Sequence, residues 1–155
     1  MVSFLECRTD DPTAHALLTE YFTARELGFT GGVYRTVFPD PARFEPPRGV
    51  FLLVMDDDGR AAGCGGVRSL DPTVFEVKHL FLREETRGRG WGSLLLSELE
   101  RRATALGATE VVLDTNASLT SAGALYRSAG YEDVEPYNDN PNATNWYRKR
   151  LAGER

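Results

Sequence analysis

Cysteine, lysine and histidine are scarce in this chain, and no apolar run is long. Two cysteines among 155 residues, Cys7 and Cys64, make no C-x-x-C pair. That excludes a disulfide framework and a thiolate-held zinc, so no metal is expected and both thiols are read as buried. Only 2 lysines accompany 16 arginines, and 23 acidic residues leave a formal net charge of −5. Neutralising a phosphate backbone needs the opposite balance, so nucleic acid is not an expected partner. The longest apolar stretch, Val50 to Met55, falls far short of the roughly 20 residues that span a bilayer. The N-terminus lacks a basic segment followed by an apolar one, and the expectation is a cytoplasmic protein without a membrane partner.

What is present is a core. With 41% hydrophobic and 26% charged residues, no internal repeat and no linker composition, residues 1–155 read as one domain. Phe4 to Arg8 suits a short strand. Asp11-Pro12 is a cap and a first helical residue, and Ala14, Leu17, Leu18, Tyr21, Phe22 and Leu27 recur at helical spacing until Gly28. Thr30 to Arg48, with four prolines, reads as a long loop holding one helical turn. Val50 to Met55, Ala61 to Leu70 and Val74 to Leu82 form an antiparallel meander punctuated by Asp56-Asp57-Asp58-Gly59 and Asp71-Pro72. Ser93 to Leu106 is a helix stopped by Gly107, with Leu95, Leu99, Ala103 and Leu106 as its stripe. Glu110 to Asn116 is a strand covered on both faces, Leu119 to Ala129 a second covering helix, and Tyr131 to Pro136 and Trp146 to Leu151 the last strands. The order is β-α-loop-β-β-β-α-β-α-β-β.

The chemistry concentrates in Arg87-Gly88-Arg89-Gly90-Trp91-Gly92-Ser93, between a strand and a helix start. Alternating glycines let backbone N–H groups converge, and the helix start adds free donors and positive dipole, so a phosphate or pyrophosphate is the natural ligand. Arg87 and Arg89 add cationic charge. A tight turn without a ligand is the plainer alternative. A Walker loop would need Lys before Ser/Thr after its last glycine, whereas Gly92 is followed by Ser93-Leu94. A dinucleotide fingerprint would need a parallel βαβ unit, whereas the preceding strands are a meander.

These residues resemble the GNAT family of N-acetyltransferases. The family pattern Q/R-x-x-G-x-G/A is met by Arg87, Gly90 and Gly92. Glu76 to Leu82 resembles the family's fourth strand, Ala124 to Tyr131 its fourth helix and following turn, and the element order agrees. The resemblance implies an α+β GNAT fold: a central mixed, mostly antiparallel sheet of six to seven strands, flanked by helices and splayed between strands 4 and 5. It also implies acetyl-CoA as acyl-donor co-substrate, held by Arg87, Gly88, Arg89, Gly90, Trp91, Gly92 and Ser93 at the diphosphate. The main chain of Leu80, Phe81 and Leu82 would pair with pantetheine, with Asn116 and Tyr126 beside it. The implied activity is direct transfer of acetyl to a primary amine of a small molecule or peptide in a ternary complex. A non-catalytic acyl-CoA-binding sensor or partner domain is the alternative.

The same resemblance assigns Tyr126 as the acid that protonates the leaving thiolate and Glu76 as the base that deprotonates the ammonium. Both residue types also occur as packing or paired surface groups. Strand alternation places Glu76 on one face with Leu80 and Leu82, and His79 on the other. Glu132, Asp133, Glu135 and Asp139 near the last strands would favour cationic amines, and the Thr30 to Arg48 loop would wall or cover the acceptor. An exposed C-terminal edge strand would allow a homodimer.

Overall fold

A computed structural model describes residues 2–28, 36–86, 88–116 and 120–151. Seven strands make one sheet: β1 (Ser3–Glu6), β2 (Gly49–Met55), β3 (Ala61–Ser69), β4 (Val74–Leu82), β5 (Glu110–Thr115), β6 (Glu132–Val134) and β7 (Asn145–Arg150). The helices are α1 (Pro12–Gly28), α2 (Trp91–Ala105) and α3 (Thr120–Ser128), with 3-10 turns at Pro41–Phe44 and Glu84–Thr86. The spatial order is β1-β2-β3-β4-β5-β7-β6. Pairing is antiparallel except between β4 and β5, where α2 carries the chain back to a parallel neighbour. The C-terminal strand β7 is therefore interior, paired on both sides, and β6 forms that edge of the sheet; the expected C-terminal edge is not there.

Alternation along β2 divides two cores. Val50, Leu52 and Val54 face one way and join Phe75, Val77, Val111 and Leu113 against Leu95, Leu96 and Leu99 of α2. Phe51 and Leu53 face the other way, with Cys64 and Phe44, against Leu17, Leu18, Tyr21 and Phe22 of α1. Asp11 caps α1, its Oδ2 accepting from the Thr13 and Ala14 amides at 3.0 and 3.3 Å. Leu27, assigned to the stripe of α1, is instead 84% exposed at its last turn. Cys64 is buried as expected, whereas Cys7 is only partly so.

Strand β4 departs from simple alternation. Lys78 stands opposite Gly66 and Phe81 opposite Cys64, so three steps along β4 span two along β3. The extra residue is a β-bulge, and within it His79 adopts φ 61, a left-handed conformation rare outside glycine. The bulge reverses the facing of everything beyond it. Phe75 and Val77 before it and Leu80 and Leu82 after it all pack toward α2. His79 packs on Tyr21, Phe22 and Phe44 on the α1 side. Glu76 is also on that side, because it stands opposite and ion-paired with Arg68. Glu76 thus shares a face with His79 and not with Leu80 and Leu82, contrary to the alternation rule.

Candidate active site

The parallel pairing of β4 with β5 runs only from Val74/Glu110 to Glu76/Val112. Beyond it the strands part, and a cleft of about 610 Å³ opens between them. Val77 to Leu80 form one wall, Leu113 to Asn116 the facing wall, and Tyr126 of α3 lies at the crevice. From Val77 onward the β5-facing edge of β4 has no strand partner among the described residues. Such an edge can accept an extended chain bearing amides. Of the three residues expected to pair with pantetheine, Leu80 lines the cleft, while Phe81 and Leu82 stand opposite Cys64 and Gly63 of β3.

The glycine turn ends at the start of α2. Gly88 and Gly90 take φ 84 and 78, and a Cβ on either would meet nothing within 4 Å. Gly90 is the N-cap and supplies no side chain. The first satisfied helical donor is the Leu94 amide, which gives to the Gly90 carbonyl at 3.2 Å. The amides of Trp91, Gly92 and Ser93 have no acceptor among the described residues, and they stand at the positive end of the helix dipole. Arg89 lies over the Trp91 ring at 5.2 Å. Gly92 sits 3.4 to 4 Å from Leu125 and Leu82, which puts the turn beside the splayed end of β4. Arg87 lies outside the described residues.

Tyr126 is 4% exposed and packs its ring on Tyr131 and Tyr147. Burial raises its pKa to about 12. Asn116 lines the cleft, and its Nδ2 donates to the Asn142 carbonyl at 3.1 Å, tying the end of β5 to the β6–β7 loop. Two buried polar atoms are unpartnered among the described residues, His79 Nδ1 and Thr115 Oγ1, and both residues line the cleft.

Glu76 is 1% exposed and does not line the cleft. Its Oε1 accepts from Arg68 Nε at 3.0 Å and lies 2.9 Å from the second guanidinium nitrogen, while its Oε2 accepts from the Tyr137 hydroxyl at 2.6 Å. Burial, together with the negative Glu76, pushes the Tyr137 phenol far up, so it stays protonated. Sequence reasoning missed Tyr137 altogether, since nothing in a polar turn marks which tyrosine reaches a strand 61 residues away. His79 is held neutral: burial lowers its pKa well below 6.5, and Lys78, Arg68 and Arg25 lower it further. Cys64 is buried with its thiol pKa pushed well up by desolvation, which removes it as a nucleophile.

The acceptor side also differs from expectation. Glu132, Asp133, Glu135 and Asp139 do not line the cleft, and Asp133 lies 3.5 Å from Arg127 at the surface. The loop before β2 does contribute, through Val37, Phe38, Pro39, Asp40 and Arg43. Its residues Phe29 and Tyr34 lie outside the described residues. Asn138 and Asn140 donate to the two oxygens of Asp114 at 2.8 and 3.1 Å, which fastens the β6–β7 loop over β5.

Comparison with known proteins decides the family. Residues 13–131 match the Acetyltransferase (GNAT) family. The chain belongs to the GNAT family. Among curated relatives, this GNAT protein is 39% identical over 100 residues to an uncharacterized N-acetyltransferase of Schizosaccharomyces pombe, covering 64% of the chain and 61% of the relative. It therefore spans less than two thirds of that relative's length. Among solved structures, a GNAT family acetyltransferase from Staphylococcus aureus superposes with a TM-score of 0.79 at 17% identity, over 98% of this chain and 100% of the other. A GNAT acetyltransferase from Elizabethkingia anophelis with acetyl-CoA bound superposes with a TM-score of 0.67 at 15% identity, over 97% and 98%. Among the described residues no helix is long and apolar enough to cross a membrane, and no cluster of His, Cys, Asp and Glu could hold a metal ion.

Proposed function

We propose that this protein transfers the acetyl group of acetyl-CoA to a primary amine by direct attack within a ternary complex. The observation that carries the reading is a juxtaposition: unsatisfied amides at Trp91 to Ser93 stand beside Leu82 at the end of β4, the strand whose unpaired edge walls a cleft that also holds Tyr126. The N–H groups and Arg89 suit a diphosphate, and the unpaired edge suits an amide-bearing arm. Thr115 Oγ1, unpartnered among the described residues, is a further hydrogen-bonding group on the β5 wall. Bound acetyl-CoA would supply an activated thioester.

The Tyr126 phenol, neutral at every physiological pH, is always loaded with the proton that a departing thiolate needs. A thiolate in dry surroundings is a strong base, as the raised pKa of buried Cys64 illustrates, so the transfer runs in the required direction. The ammonium must lose a proton before its nitrogen can attack. Glu76 and its partner Tyr137 both stand outside the cleft lining, so the proton leaves the amine through water, and Glu76 acts by holding Arg68, which does line the cleft.

Tyr126→Phe tests the assignment. It is expected to lower kcat by about 10² to 10⁴-fold, the usual worth of a positioned acid, while coenzyme A affinity by calorimetry stays as in wild type. The occupation of both Glu76 oxygens favours a second reading, an acyl-CoA-binding domain without turnover. Coenzyme A uptake with no thiol release across a panel of amines would decide for it.

A further inference from the structure

The α1 side of the cleft is unexpectedly cationic for a chain of net charge −5. Arg25, Arg43, Arg68 and Lys78 line it, against Asp40 and Asp114. Four of these six charges are already accounted for. Arg68 is paired with Glu76, Lys78 lies 3.7 Å from Asp114, and Asp40 caps the Pro41–Phe44 turn by accepting from the Ala42 amide. Arg25 and Arg43 remain. Arg25 lies 4.8 Å over the Tyr21 ring, and Arg43 makes one hydrogen bond, to the Ser69 carbonyl at 3.1 Å; neither has a carboxylate within 4 Å among the described residues. Burial and the neighbouring Arg68 and Arg48 hold the Arg43 pKa below its ordinary value, against the opposing pull of Glu76 and Asp40. On the same wall, His79 is nine-tenths buried with Nδ1 unpartnered, a polar atom that a bound molecule can satisfy.

We propose that the acceptor amine carries a carboxylate, and that Arg43, on a cleft lining that also includes Arg25, binds that group on the α1 side of the cleft. The inference rests on the acetyl-transfer reading and narrows its substrate class. Two guanidiniums without an ion pair among the described residues repel a diamine, whereas a carboxylate offers two oxygens to the planar fork of guanidinium donors. Tyr21, Phe22 and Phe38 line the same side and would cover the apolar part of such a molecule. A free amino acid and the carboxyl terminus of a short peptide present the same chemistry, and the test separates them.

The experiment measures thiol release from acetyl-CoA with matched acceptors: a series of amino acids with the amine at increasing distance from the carboxylate, their carboxamides, dipeptides and simple diamines. The best acid is expected to exceed its carboxamide at least 10-fold in kcat/KM. Arg43→Gln should erase that ratio, chiefly through KM, and Arg43→Lys should retain part of it. Arg25→Gln is a second variant should Arg43→Gln fold poorly, and Arg60→Gln in the exposed β2–β3 turn should leave the ratio at its wild-type value. Preference for dipeptides over amino acids identifies the peptide source and still supports the proposal. Carboxamides or diamines that equal the acids overturn it while leaving acetyl transfer intact. Calorimetry of the same acids and carboxamides with the protein alone decides the subsite even if no acceptor turns over: equal or absent binding of the acids overturns it.

Discussion

Gly90 offers the sharpest separation of backbone strain from ligand contact. Its φ of 78 lies in the left-handed region, and a Cβ there meets no protein atom within 4 Å. Alanine at this position pays only the conformational cost, roughly 1–2 kcal/mol, offset by about 0.4–1 kcal/mol from a stiffer unfolded chain, for a net loss near 1 kcal/mol. Asparagine tolerates left-handed φ and suits an N-cap, so Gly90→Asn should cost almost nothing. Gly59, in the β2–β3 turn, has the same φ of 78 and the same empty surroundings, and is the matched control. Urea denaturation of Gly90→Ala and Gly59→Ala should give similar losses. Coenzyme A titrations should diverge: both Gly90 variants place atoms where a diphosphate would sit over the Trp91 to Ser93 amides, and affinity should fall at least about 10-fold, or roughly 1.4 kcal/mol. Gly59→Ala should bind as wild type does. A Gly90→Asn protein with wild-type stability and wild-type coenzyme A affinity would refute the placement of the diphosphate.

His79 makes stability depend on pH. Its pKa is lowered in the fold, so below about 6.5 the unfolded chain takes up a proton that the folded chain refuses, and stability present above pH 6.5 is lost as pH falls toward the folded value. The loss between pH 7 and 5.5 is about 1 kcal/mol, and His79→Asn, which keeps the left-handed φ accessible, should remove that part of the slope in urea midpoints. Glu76→Gln and Tyr137→Phe each break one buried hydrogen-bonded pair, so in urea midpoints the double variant should lose less than the sum of the two single losses; additive losses would show that the two do not act as one unit. Leu99→Ala, at a side chain that is fully buried between α2 and the sheet, should cost about 2–5 kcal/mol by thermal or chemical denaturation while leaving the ratio of kcat values among acceptors unaltered.

Periodicity and punctuation made the scaffold legible: β2 to β5 and the helices α1 and α2 follow from apolar spacing bounded by Gly28, Gly59 and Gly107, and the turn at Gly88 to Ser93 follows from glycines no other local structure requires. The cationic wall of the cleft was not legible, because Arg25, Arg43 and Arg68 come from a helix, a 3-10 turn and a strand that only the fold brings together. Local charge misled for the same reason. Glu132, Asp133, Glu135 and Asp139 are dense in acid along the chain yet do not line the cleft, while a few arginines dispersed in sequence do.

The bulge at His79 did leave a signal. Apolar and polar residues alternate through Phe75, Glu76, Val77 and Lys78, but two polar residues, Lys78 and His79, then adjoin before Leu80, Phe81 and Leu82 resume. A strict strand would have sent Leu80 and Leu82 to the α1 face, away from the core that Phe75 and Val77 join under α2. One extra residue returns them to it, and the left-handed conformation it imposes falls on a histidine at the cleft wall. Strain of roughly 1–2 kcal/mol there is held by the rings of Tyr21, Phe22 and Phe44 around the imidazole. The consequence is functional as well as structural. Glu76 and Lys78 face α1 by ordinary alternation, and the bulge adds His79 to them while returning Leu80 to the α2 face, so polar groups gather on the α1 side of β4 and an apolar side is left toward α2. The strand edge between them, unpaired beyond Glu76, is where a thioester could meet an amine.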